Sequence, residues 1–91
     1  MNDFVLKTKD IKRITGYSQS TIRSKTTLLV SIYPLFAIKN EFKEWVYDER
    51  ALAVFILIKN GQYPEESYSS VIEFAIEAIY HCKVTNISLD I

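Results

Sequence analysis

The spacing of apolar residues near the start of the chain indicates a short helix. Ile11 and Ile14 stand three positions apart, so they lie on one helical face. Thr8 can cap this helix, and Asp10 in its first turn suits the positive end of the helix dipole. Gly16 can end the helix because glycine readily adopts the left-handed conformation.

A second helix is predicted directly after that glycine. Ser18 can cap it by accepting a hydrogen bond from the amide near Thr21, and Ile22 is its inward apolar residue. The side chains expected to face outward are Gln19, Ser20, Arg23 and Ser24. Two helices joined by a glycine turn are typical of the helix-turn-helix, in which the second helix lies in the DNA major groove. Residues 1–27 are predicted to form this unit.

Residues 28–47 are predicted to form a β-hairpin, the wing of a winged helix. Residues 28–33 and 42–47 are rich in β-branched and aromatic side chains, as strands are. Pro34 breaks the first strand, and residues 39–41 offer a turn. Trp45 is expected to pack at the base of the hairpin rather than to stack on a nucleic acid.

A pair of helices is predicted over residues 48–83. Asp48 can cap the first, and Gly61 is expected just past its end. The continuous apolar run at 51–58 also fits a buried strand, but the acidic start and the glycine at the end favour a helix. Pro64 is predicted to open the last helix, which ends near Cys82.

The last helix is apolar over much of its circumference. One stripe is expected to face the core and comprises Val71, Phe74, Ala75, Ala78, Ile79 and Cys82. A second stripe of Ile72, Ile76 and Tyr80 lies beside it, which predicts a symmetric homodimer that covers it. In the tail, residues 84–91, apolar side chains alternate, so the tail could add a strand to its own domain or to a partner.

These elements predict a single α+β domain, mainly α, with a winged helix-turn-helix and a C-terminal helical segment. A chain of 91 residues supports one modest core. The longest apolar run is eight residues, well below the ~20 that span a membrane, and the first residues do not resemble a signal peptide. A soluble, cytoplasmic protein is expected.

The charges are distributed unevenly, although the net charge is zero. Residues 1–43 carry eight basic and three acidic side chains, a net charge of +5, and residues 44–91 carry the reverse, a net charge of −5. This split suggests that the first half contacts a polyanion and the second faces solvent or a protein partner. Chance alone could also produce it.

Double-stranded DNA is the partner that these features predict. Glutamine can pair with adenine, serine with several base edges, and arginine with guanine or phosphate. The candidate DNA-binding residues are Ser18, Gln19, Ser20, Thr21, Arg23, Ser24, Lys25, Lys12, Arg13, Lys39, Asn40 and Lys43. Lys7, Lys9, Thr26 and Thr27 are further candidates for phosphate contacts. The alternative is a solvated, amphipathic pair of helices.

Two segments resemble the mercury-resistance-regulator (MerR) family. DIKRITGYSQSTIR, residues 10–23, resembles the first two helices of that family's winged helix-turn-helix. WVYDERALAVFILIKNGQYPEES, residues 45–67, is similar to its next strand end, apolar helix and acidic-led helix. The resemblance implies DNA binding in a prokaryotic, phage or plasmid setting. It covers the DNA-binding part of the family only, since no long coiled coil or effector-binding region follows these segments.

No catalytic constellation is recognisable, so an enzyme is not predicted. The chain has one histidine, one cysteine and no glycine-rich phosphate loop, and neither a metal site nor a cofactor is expected. One hypothesis is a small sequence-specific transcription regulator, mobile-element regulator or excision factor. The other is a protein-interaction adaptor or antirepressor that uses the acidic C-terminal half of a winged-helix scaffold.

Overall fold

A computed structural model describes residues 4–89, with side chains described for residues 4–79. The elements in chain order are β1 (Leu6–Lys7), α1 (Thr8–Thr15), α2 (Gln19–Ile32), β2 (Ala37–Lys39), β3 (Trp45–Tyr47), α3 (Glu49–Gly61), a 3₁₀ turn (Glu65–Ser67) and α4 (Tyr68–Leu89). The predicted fold class is confirmed: the chain is α+β, mainly helical, in a winged-helix-like arrangement.

The turn between α1 and α2 forms as predicted. Gly16 has a φ of 81°, and its N–H donates to the Lys12 carbonyl over 2.8 Å. The Ser18 hydroxyl accepts from the amide of Thr21 at 3.2 Å and so caps α2. Ile22 is fully buried. The crossing of the two helices is therefore set by local signals that the sequence displays.

The start of α1 differs from the prediction in two respects. Thr8 is the first helical residue and not its cap; instead the Asp10 carboxylate accepts from the Lys7 amide at 2.9 Å. Ile14 is 46% exposed, whereas Thr15 is buried and its hydroxyl donates to the Ile11 carbonyl. The inward face of α1 thus contains Ile11 and Thr15 rather than Ile11 and Ile14. Residues four apart share a helical face, as residues three apart do.

The predicted strand over residues 28–33 is wrong, because α2 continues to Ile32. Ile22, Thr26 and Leu29 are its buried residues, and their spacing places them on one helical face. Neither glycine nor proline occurs between Gly16 and Pro34. The β-branched side chains therefore pack from a helix, and tertiary burial outweighs their strand preference.

The sheet is antiparallel, with strand order β1-β3-β2. In β2 and β3, which form the wing hairpin, Ala37 pairs with Tyr47 and Lys39 with Trp45. On the other side of β3, Leu6 also pairs with Tyr47. The two-residue strand β1 was not predicted, and it brings the start of α1 against the wing.

Helix α3 begins as predicted and ends one residue later. The Asp48 carboxylate accepts from the amide of Ala51 at 3.1 Å. Gly61 is the last helical residue rather than the residue past the end, and Gln62 takes the left-handed conformation, with a φ of 52°. A Cβ at Gly61 would collide with the ring of Tyr63, so this glycine permits a close approach of that ring.

Helix α4 begins at Tyr68, after the 3₁₀ turn, and not at Pro64. It continues to Leu89, so the strand predicted over residues 84–91 is wrong for the described residues up to 89. Val71, Ile72 and Ala75 are buried, whereas Phe74 is 61% exposed. No helix in the described part of the chain is both long and apolar enough to cross a membrane.

The core is centred on three aromatic rings, one from α3, one from β3 and one from the loop that precedes β2. Phe55 of α3 packs edge to face against Phe36 and Tyr47, with ring centroids 5.6 and 5.9 Å apart. Such pairs contribute beyond the area they bury. The core thereby fixes α3 against the wing strand β3.

Candidate nucleic-acid interface

A cleft of about 490 Å³ lies between three segments that are distant in sequence. Its walls are the β1–α1 junction, one flank of α2, and the hairpin. The lining residues are Lys7, Thr8, Lys9, Gln19, Arg23, Thr27, Lys39, Lys43, Glu44 and Trp45. Five of these are basic and one is acidic, so the cleft carries a strong positive potential suited to a phosphate backbone.

Helix α2 presents a polar wall to the cleft. Gln19, Arg23 and Thr27 follow one another at intervals of four residues, so they lie along one flank. All three are exposed. Ser20 and Ser24 are also exposed, one position further around the helix, on the side directed away from the core. The predicted base-reading side chains thus share a continuous outer surface.

The hairpin supplies the opposite wall. Lys39 holds its ammonium group 4.9 Å from the centroid of the Trp45 ring, a cation–π distance. Trp45 is half-buried: it packs against the core, as predicted, and also lines the cleft. Lys43 has a φ of 61°, a conformation in which glycine is usual and a lysine is strained. The chain thus places a cation at a position where backbone energetics favour glycine.

Asn40 has a different role from the predicted DNA contact. Its side-chain oxygen accepts from the amides of Phe42 and Glu44 at 2.9 and 3.0 Å. Its amide group donates to the Glu44 carboxylate over 3.1 Å. The polar atoms of Asn40 therefore bond within the hairpin tip and hold its shape.

Glu44 is the acidic member of the cleft. Hydrogen bonding from Asn40, followed by the charge of Lys7, lowers the pKa of its carboxyl below the ordinary value. The Lys7 ammonium lies 3.6 Å from that carboxylate. Glu44 therefore stays ionised at neutral pH and partly offsets the positive charge of the cleft.

Lys25, a predicted DNA contact, does not line the cleft. Its ammonium group donates to the Tyr68 hydroxyl over 2.7 Å and lies 5.4 Å from the Tyr17 ring centroid. Six positions from Gln19, it occupies the other flank of α2. Lys25 thus links α2 to α4.

A second basic pocket, of about 330 Å³, lies around Lys25. Its lining residues are Tyr17, Lys25, Ile58, Lys59, Gln62 and Tyr63. The Lys59 ammonium lies 4.8 Å from the Tyr17 ring centroid, so two cations flank one ring. Burial, above all, raises the pKa of the Tyr17 hydroxyl, which stays protonated and can donate to an anion. Basic groups therefore lie on both flanks of α2.

Four other predicted contacts, on α1 and α2, lie outside both basic pockets. Lys12 and Arg13 are exposed on α1 outside both basic pockets, and Arg13 pairs with Asp10 at 3.3 Å. Thr26, an expected phosphate contact, is instead fully buried, and its hydroxyl donates to the Ile22 carbonyl. Thr21 is half-buried, and its hydroxyl accepts from Ser18 at 2.9 Å.

Sequence reasoning missed Tyr17, Lys59 and Glu44 as members of these surfaces. The strand pairing of β1 with β3 places Lys7 beside Glu44, and the approach of α3 to the helix-turn-helix places Lys59 beside Tyr17. Neither relationship has a local signature in the sequence.

The residues predicted for dimerisation do not form one free stripe. Ile72 is only 4% exposed and packs in the chain's own core, and Ile76 is half-buried against it. The side chain of Tyr80 lies outside the described residues. Among the described side chains of α4, Phe74 is the large apolar one that is exposed, and it lines a groove of about 210 Å³ with Leu57, Tyr63 and Val71.

No group of three histidine, cysteine, aspartate or glutamate side chains in the described residues lies close enough together to hold a metal ion. Comparisons with protein-family models, with curated proteins and with solved structures find no match to this chain.

Proposed function

We propose that this chain is a sequence-specific double-stranded DNA-binding protein with a MerR-like winged helix-turn-helix. The observation that carries the proposal is the basic cleft between α2 and the hairpin. Three segments of the chain contribute five cations to it. Such a cleft suits one strand of the phosphate backbone, with α2 in the major groove on one side and the hairpin on the other.

The second basic pocket also supports the placement of α2 in the major groove. A helix in the major groove has a phosphate strand on each side, and Lys25 and Lys59 offer cations on the flank opposite Arg23. The exposed serines of α2, Ser20 and Ser24, then face the base edges between the two strands. Arg23 and Gln19 read bases from the cleft side.

In this role the protein acts in the cytoplasm of a prokaryote, or of the host of a phage or plasmid, as a small transcription regulator, mobile-element regulator or excision factor. It is proposed to bind paired half-sites as a homodimer. Because Ile72 belongs to the core, the remaining dimer surface comprises Ile76, the predicted Tyr80 and the exposed Phe74. No catalysis is proposed.

Selection from a random duplex pool, followed by sequencing, tests this proposal. A defined motif should emerge with the parent protein. Gln19→Ala should lose base preference at one or two base pairs. The discrimination against other bases should fall by roughly 1–3 kcal/mol per lost bidentate contact. A pool that stays random, or an unchanged motif with the Gln19 variant, would contradict the assignment.

A protein-interaction adaptor is the second candidate function. The observation that favours it is the apolar groove around Phe74, which lies in the acidic half of the chain. A Phe74→Ser variant that still dimerises and keeps its DNA motif but no longer binds a different protein would separate this role from DNA binding.

A further inference from the structure

Phe42 occupies an unusual place for a large aromatic residue. It lies at the tip of the β2–β3 hairpin, between Glu41 and Lys43, and 74% of it is exposed. Burial of a phenylalanine side chain is favourable, and Phe42 forgoes most of that gain in the isolated chain. The ring is therefore free to contact an apolar surface outside the chain.

The tip presents Phe42 on a closed turn. The Lys43 amide donates to the Asn40 carbonyl at 2.9 Å, and the Asn40 amide donates to the Glu44 carbonyl at 3.0 Å. The Phe42 amide itself donates to the Asn40 side chain at 2.9 Å. These bonds fix the backbone under Phe42, so the hairpin tip loses little further conformational entropy when the ring contacts a partner.

The surroundings of Phe42 indicate which partner that is. Lys43 follows it directly, and Lys39 lies on the other arm of the same hairpin; both lysines line the basic cleft. In the proposed binding mode, with α2 in the major groove and one phosphate strand in the cleft, the hairpin tip would reach the adjacent minor groove. Minor-groove proteins there combine basic side chains with an apolar wedge that enters a base step and kinks the duplex.

We propose that Phe42 is such a wedge: it inserts between two base pairs from the minor groove, and the protein bends the DNA it binds. This inference rests on the proposed DNA binding and adds to it a mechanical function. Lys39 and Lys43 would hold the phosphates on either side of the opened step. Flexible pyrimidine–purine steps, which unstack at low cost, should be preferred at this position.

Energy transfer between dyes at the two ends of a selected duplex tests the proposal. The parent should bend the duplex by roughly 20–90°. Phe42→Ala should abolish most of the bend and weaken binding on the order of tenfold, since loss of an aromatic stacking contact has this scale. Phe42→Leu, which keeps an apolar wedge, should retain much of the bend. Leu35→Ala is the matched control, because Leu35 is also exposed, at 58%, but lies outside both the tip and the cleft.

A parent protein that binds its motif without bending it would overturn the wedge and leave the proposed DNA binding intact. Equal bending by the parent and Phe42→Ala would do the same. A parent that binds no duplex would overturn both, and loss of association with a protein partner in Phe42→Ala alone would reassign the ring to a protein contact.

Discussion

The Thr26 hydroxyl lies 2.9 Å from the Tyr47 hydroxyl in the buried core. Thr26 belongs to α2 and Tyr47 to β3, so this hydrogen bond joins the helix and the hairpin that form the two walls of the basic cleft. The distance between the two walls of the cleft therefore depends on a hydrogen bond that is buried in the core.

Removal of this bond should destabilise the fold measurably. Tyr47→Phe should lower the free energy of unfolding by about 1 kcal/mol, whereas Thr26→Val, which leaves the buried Tyr47 hydroxyl without its partner, should cost about 1–3 kcal/mol. Urea denaturation of the two variants and of the double variant gives the coupling energy. Strictly additive losses would show that the two hydroxyls do not interact.

Replacement of Lys43 by glycine should raise the stability of the fold and weaken DNA binding. Lys43→Gly removes a lysine from the left-handed conformation and should stabilise the fold by about 0.5–1 kcal/mol, after allowance for the flexibility of glycine in the unfolded chain. The same variant should bind duplex DNA more weakly, because a cation of the cleft is lost. Lys43→Ala is the control, since it removes the charge and keeps the strain. If Lys43→Gly is less stable than Lys43→Ala, the strain argument is wrong.

Substitutions of Gly16 test whether the turn of the helix-turn-helix requires a positive φ at this position. Apart from Gly16 and its two chain neighbours, no residue has an atom within 4 Å of a Cβ built there, so the cost of a side chain comes from the positive φ. Gly16→Val should destabilise the protein by roughly 1–3 kcal/mol. Gly16→Asn should cost less, because asparagine tolerates the left-handed conformation. Equal thermal stability of the two variants would contradict this account of the turn.

Glu44 should oppose DNA binding. Glu44→Gln removes the negative charge from the cleft and should strengthen binding to all duplexes. It should also remove a pH dependence of stability. The pKa of the carboxyl is lowered in the folded state, so its contribution is present above the ordinary glutamate pKa and is lost as the pH falls through the lowered value. Weaker binding by the variant would show that Glu44 accepts a hydrogen bond from a base instead.

The parts of the fold that the sequence predicted correctly carry local signals. Gly16, Ser18 and Asp48 each act within three or four residues of their own position, so spacing alone identifies them. The error at residues 28–33 has a tertiary cause: a helix that buries one face accepts residues that would otherwise favour a strand.

The candidate site was less predictable because its geometry comes from distant pairings. The residue type of Lys25 predicts a phosphate contact, but its position depends on Tyr68, forty-three positions later, whose hydroxyl accepts a hydrogen bond from its ammonium group. The two-residue strand β1 has no periodic pattern of its own, and only its pairing with β3 brings Lys7 to the cleft. Asn40 has the chemistry of a DNA contact, yet the turn uses its polar atoms.

The salt dependence of duplex binding tests the central claim, that the cleft holds the phosphate backbone, most directly. Fluorescence anisotropy with a selected duplex, between roughly 50 and 200 mM salt, should show a steep loss of affinity for the parent. Lys39→Ala should bind more weakly and lower the slope against log salt by about one, whereas Lys12→Ala, an exposed lysine on α1 outside the cleft, should match the parent. Affinity that does not change with salt, or equal losses for the two variants, would contradict the account.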